Sequence, residues 1–126
     1  MNTIRVANLP EPAGHYSHAV VHDGIVYVSG QLPMRDGSTD LVQGSIEGQT
    51  AQAIENLKRV LEAAGSRLEL VLRTTVYVAD IALWDRVNRV YAASFGNHKP
   101  ARAVVPTREL HHGFLVEIDA VAAVAD

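Results

Sequence analysis

The 126-residue chain contains no cysteine. This absence excludes disulfide bonds, thiolate nucleophiles and cysteine-ligated metal sites, and a cytoplasmic protein fits it best. Long apolar runs are also missing, because no stretch approaches the ~20 residues that a membrane-spanning helix needs. The first residues, Met-Asn-Thr-Ile-Arg, lack the apolar segment of a secretion signal. We therefore expect a cytoplasmic protein without a membrane partner.

Positive charge is scarce as well. The chain has 11 Lys and Arg against 14 Asp and Glu, a net charge of −3, and its basic residues form no run or stripe. Nucleic-acid binding through neutralised phosphates therefore has little support. The six histidines show no zinc-motif spacing, and no glycine-rich loop carries a phosphate-binding lysine. We expect no metal, no cofactor and no nucleic-acid partner.

What is present is typical of one globular domain over residues 1–126, with 48% hydrophobic residues and no internal repeat. Prolines and glycines predict loops at 8–16 and 33–44. Between these loops, Asp23-Gly24 follows one apolar run and precedes another. This pattern predicts a hairpin of strands Ser17 to Val21 and Ile25 to Ser29.

Two later stretches show helical spacing. Ser45 can cap the first helix and Gly65 can end it, whereas Asp80 and Gly96 bound the second. The apolar face of the first helix consists of Ile46, Ala53, Ile54, Leu57, Val60, Leu61 and Ala64. The apolar face of the second consists of Trp84, Val87, Tyr91 and Phe95.

Three further stretches alternate like strands: Leu70 to Ala79, Ala101 to Val105 and Phe114 to Val124. An additional short strand at Ile4 to Ala7 is left open. The resulting order β-β-α-β-α-β-β predicts an α+β fold, a mixed sheet with two helices packed on one face.

The last strand carries acidic residues among β-branched ones. We expect its Val116 and Ile118 to face the helices and Glu117 to face away, on the same side of the sheet as Ser29, Arg102 and Val104. Such a mixed face usually meets another subunit, which predicts a homo-oligomer with a polar cleft near the boundary.

The residues themselves allow two interpretations of this pair. A carboxylate inside an apolar strand, such as that of Glu117, is costly to bury unless it is paired or functional, and the Arg102 guanidinium can donate two parallel hydrogen bonds to a carboxylate. The two side chains then either form a structural ion pair at an interface or bind a small anion beside a proton-transfer group.

Five segments together resemble the RidA/YjgF family of reactive-intermediate deaminases, in order along nearly the whole chain. They are Gly14-His15-Tyr16-Ser17-His18-Ala19, Val26-Tyr27-Val28-Ser29-Gly30-Gln31-Leu32-Pro33, Gln49-Thr50 with Asn56-Leu57, Val87-Asn88-Arg89-Val90-Tyr91, and Pro100-Ala101-Arg102 with Val116-Glu117-Ile118. The resemblance implies a chorismate-mutase-like fold and a homotrimer with sites between subunits. It also implies hydrolysis of enamines and imines of 2-amino acids, such as 2-aminoacrylate, to 2-keto acids and ammonia.

The same resemblance implies roles for individual residues. Arg102 would bind the substrate carboxylate and Glu117 would activate water. The cleft would be lined by Tyr16, Ser29, Gly30 and Asn88, and by the main chain of Val104. For Ser29 and Asn88 the residues leave a second interpretation open, in which each only satisfies a local hydrogen bond.

Departures from the family pattern occur at His15, His18, Val104 and His111-His112. Two adjacent histidines on a strand would face opposite ways. The departures leave two alternatives open: a keto-acid binding protein without turnover, and a deaminase of a larger enamine such as 2-aminomuconate.

Overall fold

The computed structural model describes all 126 residues, and it contains a six-stranded mixed sheet with two helices on one face. The strands are β1 (Asn2–Ile4), β2 (Ala19–His22), β3 (Ile25–Gln31), β4 (Val71–Val78), β5 (Ala101–Pro106) and β6 (Val116–Ala123), and the helices are α1 (Ile46–Ala63) and α2 (Trp84–Phe95). The strands lie in the order β1-β2-β3-β6-β4-β5, with only β4 and β5 parallel. The predicted fold class is confirmed. Neither helix has the length and apolarity to cross a membrane.

The predicted hairpin is confirmed as β2 and β3. Its turn residues Asp23 and Gly24 both have positive φ, 50° and 76°, as a two-residue turn of type I′ requires. The pairing of β3 with β6 shifts register between Val28 and Gln31. Irregular pairing of this kind re-aims side chains next to functional sites. The short N-terminal strand lies at Asn2–Ile4, earlier than the stretch left open for it.

Helix α1 has the predicted caps and α2 ends at the predicted Gly96, but the predicted N-cap of α2 is wrong. Ser45 Oγ accepts a hydrogen bond from the Gly48 amide at 3.0 Å, and Gly65 follows α1 with a φ of 81°. Asp80 instead caps a separate turn of 3-10 helix, because its Oδ1 accepts from the Ala82 amide at 2.9 Å. Helix α2 therefore starts only at Trp84.

The core lies between the helices and the sheet. Residues of β6 alternate strictly, with Val116 and Ile118 buried under the helices and Glu117 half-buried on the opposite face, as predicted. Complete burial of one such aliphatic side chain contributes about 1.5–3 kcal/mol. The opposite face has no helix over it and exposes Tyr27 and Val105. We call this surface the open face.

The prediction for β5 is wrong, because Arg102 and Val104 do not lie on the open face. They pair with Thr74 and Val76 of β4, which are buried under the helices. Paired residues on neighbouring strands point to the same side of a sheet, so Arg102 and Val104 lie on the helix side. At this sheet edge, beside α2, the long arginine stem can be covered while its charged end reaches outward.

Candidate active site

Glu117 stands on the open face of β6, opposite Tyr77 of β4. Partial burial raises the pKa of its carboxyl, and the nearby negative charge of Asp119 raises it further, while His111 acts in the opposite direction. No arginine, lysine or histidine lies within ion-pair distance of it. Glu117 is thus an acid whose ionised form has no cationic partner within the chain.

A cavity of about 460 Å³ opens in front of this carboxyl. Its lining includes four residues that the sequence predicts for one site: Tyr16, Ser29, Gly30 and Glu117. The structure brings these four together, and their chemical roles stay predictions. We call this space the Glu117 cavity.

Gly30 allows the carboxyl to occupy its position. A Cβ atom added at residue 30 would lie 2.5 Å from Glu117 Oε2 and 3.0 Å from its Cδ. Real Cβ atoms do not approach other atoms so closely, so any larger residue would displace the carboxyl. Glycine is needed here for space, because its φ is not positive.

Ser29 holds the wall of the Glu117 cavity. Its Oγ donates to the Ser17 carbonyl at 2.7 Å, and its amide donates to the His18 carbonyl at 3.0 Å. Gln31 Nε2 in turn donates to the Ser29 carbonyl at 3.0 Å. The hydroxyl is therefore engaged with the backbone, which is the local role that the sequence left open for it.

Two buried polar side chains that the sequence analysis did not assign fix the rest of this wall. Asn56 Nδ2 donates to the carbonyls of Leu32 and Met34, at 3.0 and 2.8 Å. His18 accepts from the Val6 amide through Nδ1 and donates from Nε2 to the Pro10 carbonyl, each at 2.9 Å. The signal for Asn56 was an amide within the apolar stripe of α1.

His111 and His112 also line the Glu117 cavity. They lie in a turn of 3-10 helix rather than in a strand, and His112 has a left-handed φ of 62°. Their rings stack with centroids 3.9 Å apart. The expectation that they face opposite ways is wrong, because the turn removes the strand alternation on which it rested.

Arg102 lies on the helix side of the sheet edge. Its Nη1 donates to Asn88 Oδ1 at 2.9 Å, and no carboxylate lies within ion-pair distance. A guanidinium has five N–H donors, so most of those of Arg102 have no partner in the chain. Asn88 thus makes the local hydrogen bond that the sequence left open for it.

A second cavity, of about 410 Å³, borders this guanidinium, and we call it the Arg102 cavity. Its lining includes Asn88, Tyr91, Lys99 and Arg102 and contains no acidic residue. Positive charge without a nearby carboxylate favours an anion such as a carboxylate. Val104 lines neither cavity and packs partly against the core.

The two cavities share no lining residue. Within one chain, Arg102 and Glu117 lie on opposite sides of the sheet and form no ion pair, so the shared-face prediction is wrong. An ion pair between them at an interface stays a prediction. Each cavity contains one of the two groups that the predicted chemistry needs. The Arg102 cavity has the anion-binding guanidinium, and the Glu117 cavity has the proton-transfer carboxyl. No three histidine, aspartate or glutamate side chains form a group that could hold a metal ion.

Comparisons with known proteins agree with this fold. Residues 6–124 match the family model described as Endoribonuclease L-PSP. A RutC family protein from Pyrococcus horikoshii is 41% identical over 115 residues, 91% of each chain. The human protein named 2-iminobutanoate/2-iminopropanoate deaminase is 40% identical over 94% of this chain and 87% of its own. The crystal structure of the E. coli YjgF gene product superimposes with a TM-score of 0.89 at 32% identity, covering 98% of both chains.

Proposed function

The chain belongs to the Endoribonuclease L-PSP family, which is the RidA/YjgF family, and we propose that it is a deaminase of 2-imino acids. The reaction is the hydrolysis of an imine or enamine of a small 2-amino acid to the 2-keto acid and ammonia. One observation carries the proposal: an arginine without an acidic partner and a glutamic acid with a raised pKa each border a cavity.

The reaction needs only a group that binds the substrate carboxylate and a group that transfers protons. An enamine first gains a proton at carbon and loses one from nitrogen, which gives the imine. Water then adds to the C=N carbon, and ammonia leaves as the C=O bond forms; the oxygen comes from water and both of its hydrogens end on nitrogen. Because burial shifts the Glu117 pKa toward neutrality, its carboxyl can both accept the proton of water and donate it to nitrogen.

Arg102 and Glu117 lie on opposite sides of the sheet in one protomer, so a site that contains both requires at least two protomers. We propose that the open face of one protomer meets the β5 edge of the next in a homotrimer, so that the Glu117 cavity and the Arg102 cavity join. The exposed Tyr27 and Val105 on the open face supply apolar area for such contacts. In that assembly the complete site exists only between protomers.

Release of keto acid tests this proposal. 2-Iminobutanoate is generated in situ by an amino-acid oxidase, and 2-oxobutanoate formation is followed above the spontaneous rate. We expect Arg102→Ala to raise KM by at least about tenfold, because a hydrogen bond to a charged group contributes ~1.5–3 kcal/mol. Arg108→Ala, at an exposed position six residues later in the chain, is the matched control. Wild-type rates in Arg102→Ala would overturn the proposal.

A second candidate, a deaminase of a larger enamine such as 2-aminomuconate, has one specific observation in its favour. His111 and His112 present two imidazoles to the Glu117 cavity, where they can receive a second carboxylate when protonated. A substrate panel separates the two candidates. Faster hydrolysis of short aliphatic imines favours the first, and faster hydrolysis of dicarboxylic enamines favours the second.

Two further expectations accompany the proposal. A protein that only binds keto acids would bind 2-oxobutanoate in calorimetry without accelerating imine hydrolysis. We also expect a cytoplasmic protein. We expect no RNA-cleaving activity, because the net charge is −3 and the lining of the Glu117 cavity also includes Glu11. Incubation of the purified protein with labelled RNA checks this last expectation.

A further inference from the structure

We infer that Trp84 is a positioning residue that holds the Arg102 guanidinium in its anion-binding orientation. The inference rests on the proposed function, because that proposal gives Arg102 its carboxylate. It adds a determinant of substrate affinity that neither the motifs nor the cavity lining reveal.

The first turns of α2 build a cradle for the guanidinium. Its Cζ lies 4.7 Å from the ring centroid of Tyr91 and 5.4 Å from that of Trp84. Positions 84, 88 and 91 share one face of a helix, so the hydrogen bond from Arg102 to Asn88 belongs to the same cradle. Two aromatic rings and one amide thus surround the charged group from a single helix.

Tyr91 is the rigid side of the cradle. Its hydroxyl is hydrogen-bonded to Thr74 Oγ1 at 2.8 Å, and its ring stacks on Phe95 at a centroid distance of 4.4 Å. Only 6% of Tyr91 is exposed. Its ring therefore has one fixed position, against which the guanidinium can be held.

Trp84 differs from the rest of the helix face in its exposure. Val87 is 2% exposed, whereas Trp84 is 37% exposed, so core burial does not account for it. Among aromatic side chains, tryptophan attracts a cation over its ring most strongly. Its observed contact is with the one arginine that the proposed chemistry requires.

The physical consequence is that the Arg102 guanidinium is preorganised for binding a carboxylate. A free arginine side chain loses rotamer freedom when it binds a carboxylate. The two rings contact the guanidinium, and Asn88 accepts a hydrogen bond from one of its N–H groups. These contacts restrict the rotamer freedom of Arg102 before the ligand binds. The donors that remain are directed toward the ligand, which strengthens binding without any contact between Trp84 and the substrate.

The first test needs no ligand. In side-chain ¹H–¹⁵N NMR spectra of the wild type, ring currents should shift the Arg102 Nε–H signal away from those of exposed arginines. Trp84→Leu should move this signal toward the exposed values, and Trp84→Phe should restore most of the shift. Ile81→Ala, at an exposed apolar position just before α2, is the matched control and should leave it unchanged. An unmoved Arg102 signal in Trp84→Leu overturns the inference.

The second test measures the consequence for affinity. We expect Trp84→Leu to weaken 2-oxobutanoate binding by about three- to tenfold and to raise KM by a similar factor with little change in kcat. Trp84→Phe should bind within about threefold of the wild type. Equal loss in Trp84→Phe and Trp84→Leu would contradict the inference. If the wild type binds 2-oxobutanoate but hydrolyses no imine, the deaminase proposal fails and the positioning role stands on both tests. If it binds no keto acid, the deaminase proposal also fails and the NMR spectra decide the positioning role.

Discussion

Glu117 rests directly against the backbone of Gly30, at a distance that leaves no space for a Cβ atom. The two residues come from adjacent strands, β6 and β3, at the point where their pairing shifts register. The position of the acid therefore depends on the absence of a side chain on its neighbour. A side chain at position 30 should therefore disturb the acid.

Gly30→Ala should lower kcat/KM by about 100-fold while the protein still folds. The new methyl group forces the Glu117 carboxyl to rotate away, and a displacement of about 1 Å in a catalytic group can cost about 10²-fold. Steady-state kinetics and circular dichroism measure the two effects.

Gly48→Ala, in the first turn of α1, is the control for glycine replacement and should retain wild-type kinetics. Full activity in Gly30→Ala would show that the carboxyl either does not need this position or does not take part.

Glu117→Gln should abolish turnover and raise the melting temperature at pH 7. The folded-state pKa of Glu117 lies above its ordinary value of 4.5 because of burial and Asp119. The native state therefore holds this proton more tightly than the unfolded state, and wild-type stability falls as pH rises above about 4.5. Glutamine carries no charge and escapes this loss.

The melting temperatures of Glu117→Gln and wild type should converge as pH is lowered toward 4. Thermal unfolding at several pH values measures the difference between them. A variant that melts below the wild type at pH 7 would mean that the ionised carboxylate is stabilised by a partner in the assembled protein.

Glu47→Gln should weaken the acid dependence of stability. Two hydrogen bonds from Arg86, at 2.7 and 2.9 Å, lower the pKa of Glu47 to about 2 and connect α1 with α2. A depressed folded pKa gives stability above about 4.5 that is lost as pH falls toward 2. The melting temperature of Glu47→Gln should therefore decline less steeply across that window.

Glu55→Gln, later in α1, is the matched control for Glu47→Gln and should follow the wild-type slope. An unchanged slope in Glu47→Gln would mean that the contact with Arg86 does not persist in solution.

The sequence predicted most of the fold because local signals were strong. Asp23-Gly24 specified the hairpin, Ser45 and Gly65 bounded α1, and the alternation of β6 placed Glu117 away from the helices. Each of these signals depends only on neighbours in the chain. The family resemblance then named four of the residues that line the Glu117 cavity: Tyr16, Ser29, Gly30 and Glu117.

The orientation of β5 was not predictable from its own residues. Ala101, Ala103 and Val105 are more apolar than the face that carries Arg102, so the alternation indicated the wrong direction. The direction is set by parallel pairing with β4 and by the rings of α2, both distant in sequence. The left-handed His112 is likewise set by its turn, which residue type does not signal.

The proposed site requires Arg102 and Glu117 to act together although one chain holds them apart. Subunit complementation tests this directly. Arg102→Ala, with its raised KM, and Glu117→Gln, without turnover, are unfolded together in equal amounts, refolded, and assayed at a substrate concentration well below the wild-type KM. Random assembly should make about one quarter of the inter-subunit sites complete and restore about one quarter of wild-type imine hydrolysis. No activity in the mixture, from protein that has refolded and assembled, would contradict a site shared between protomers.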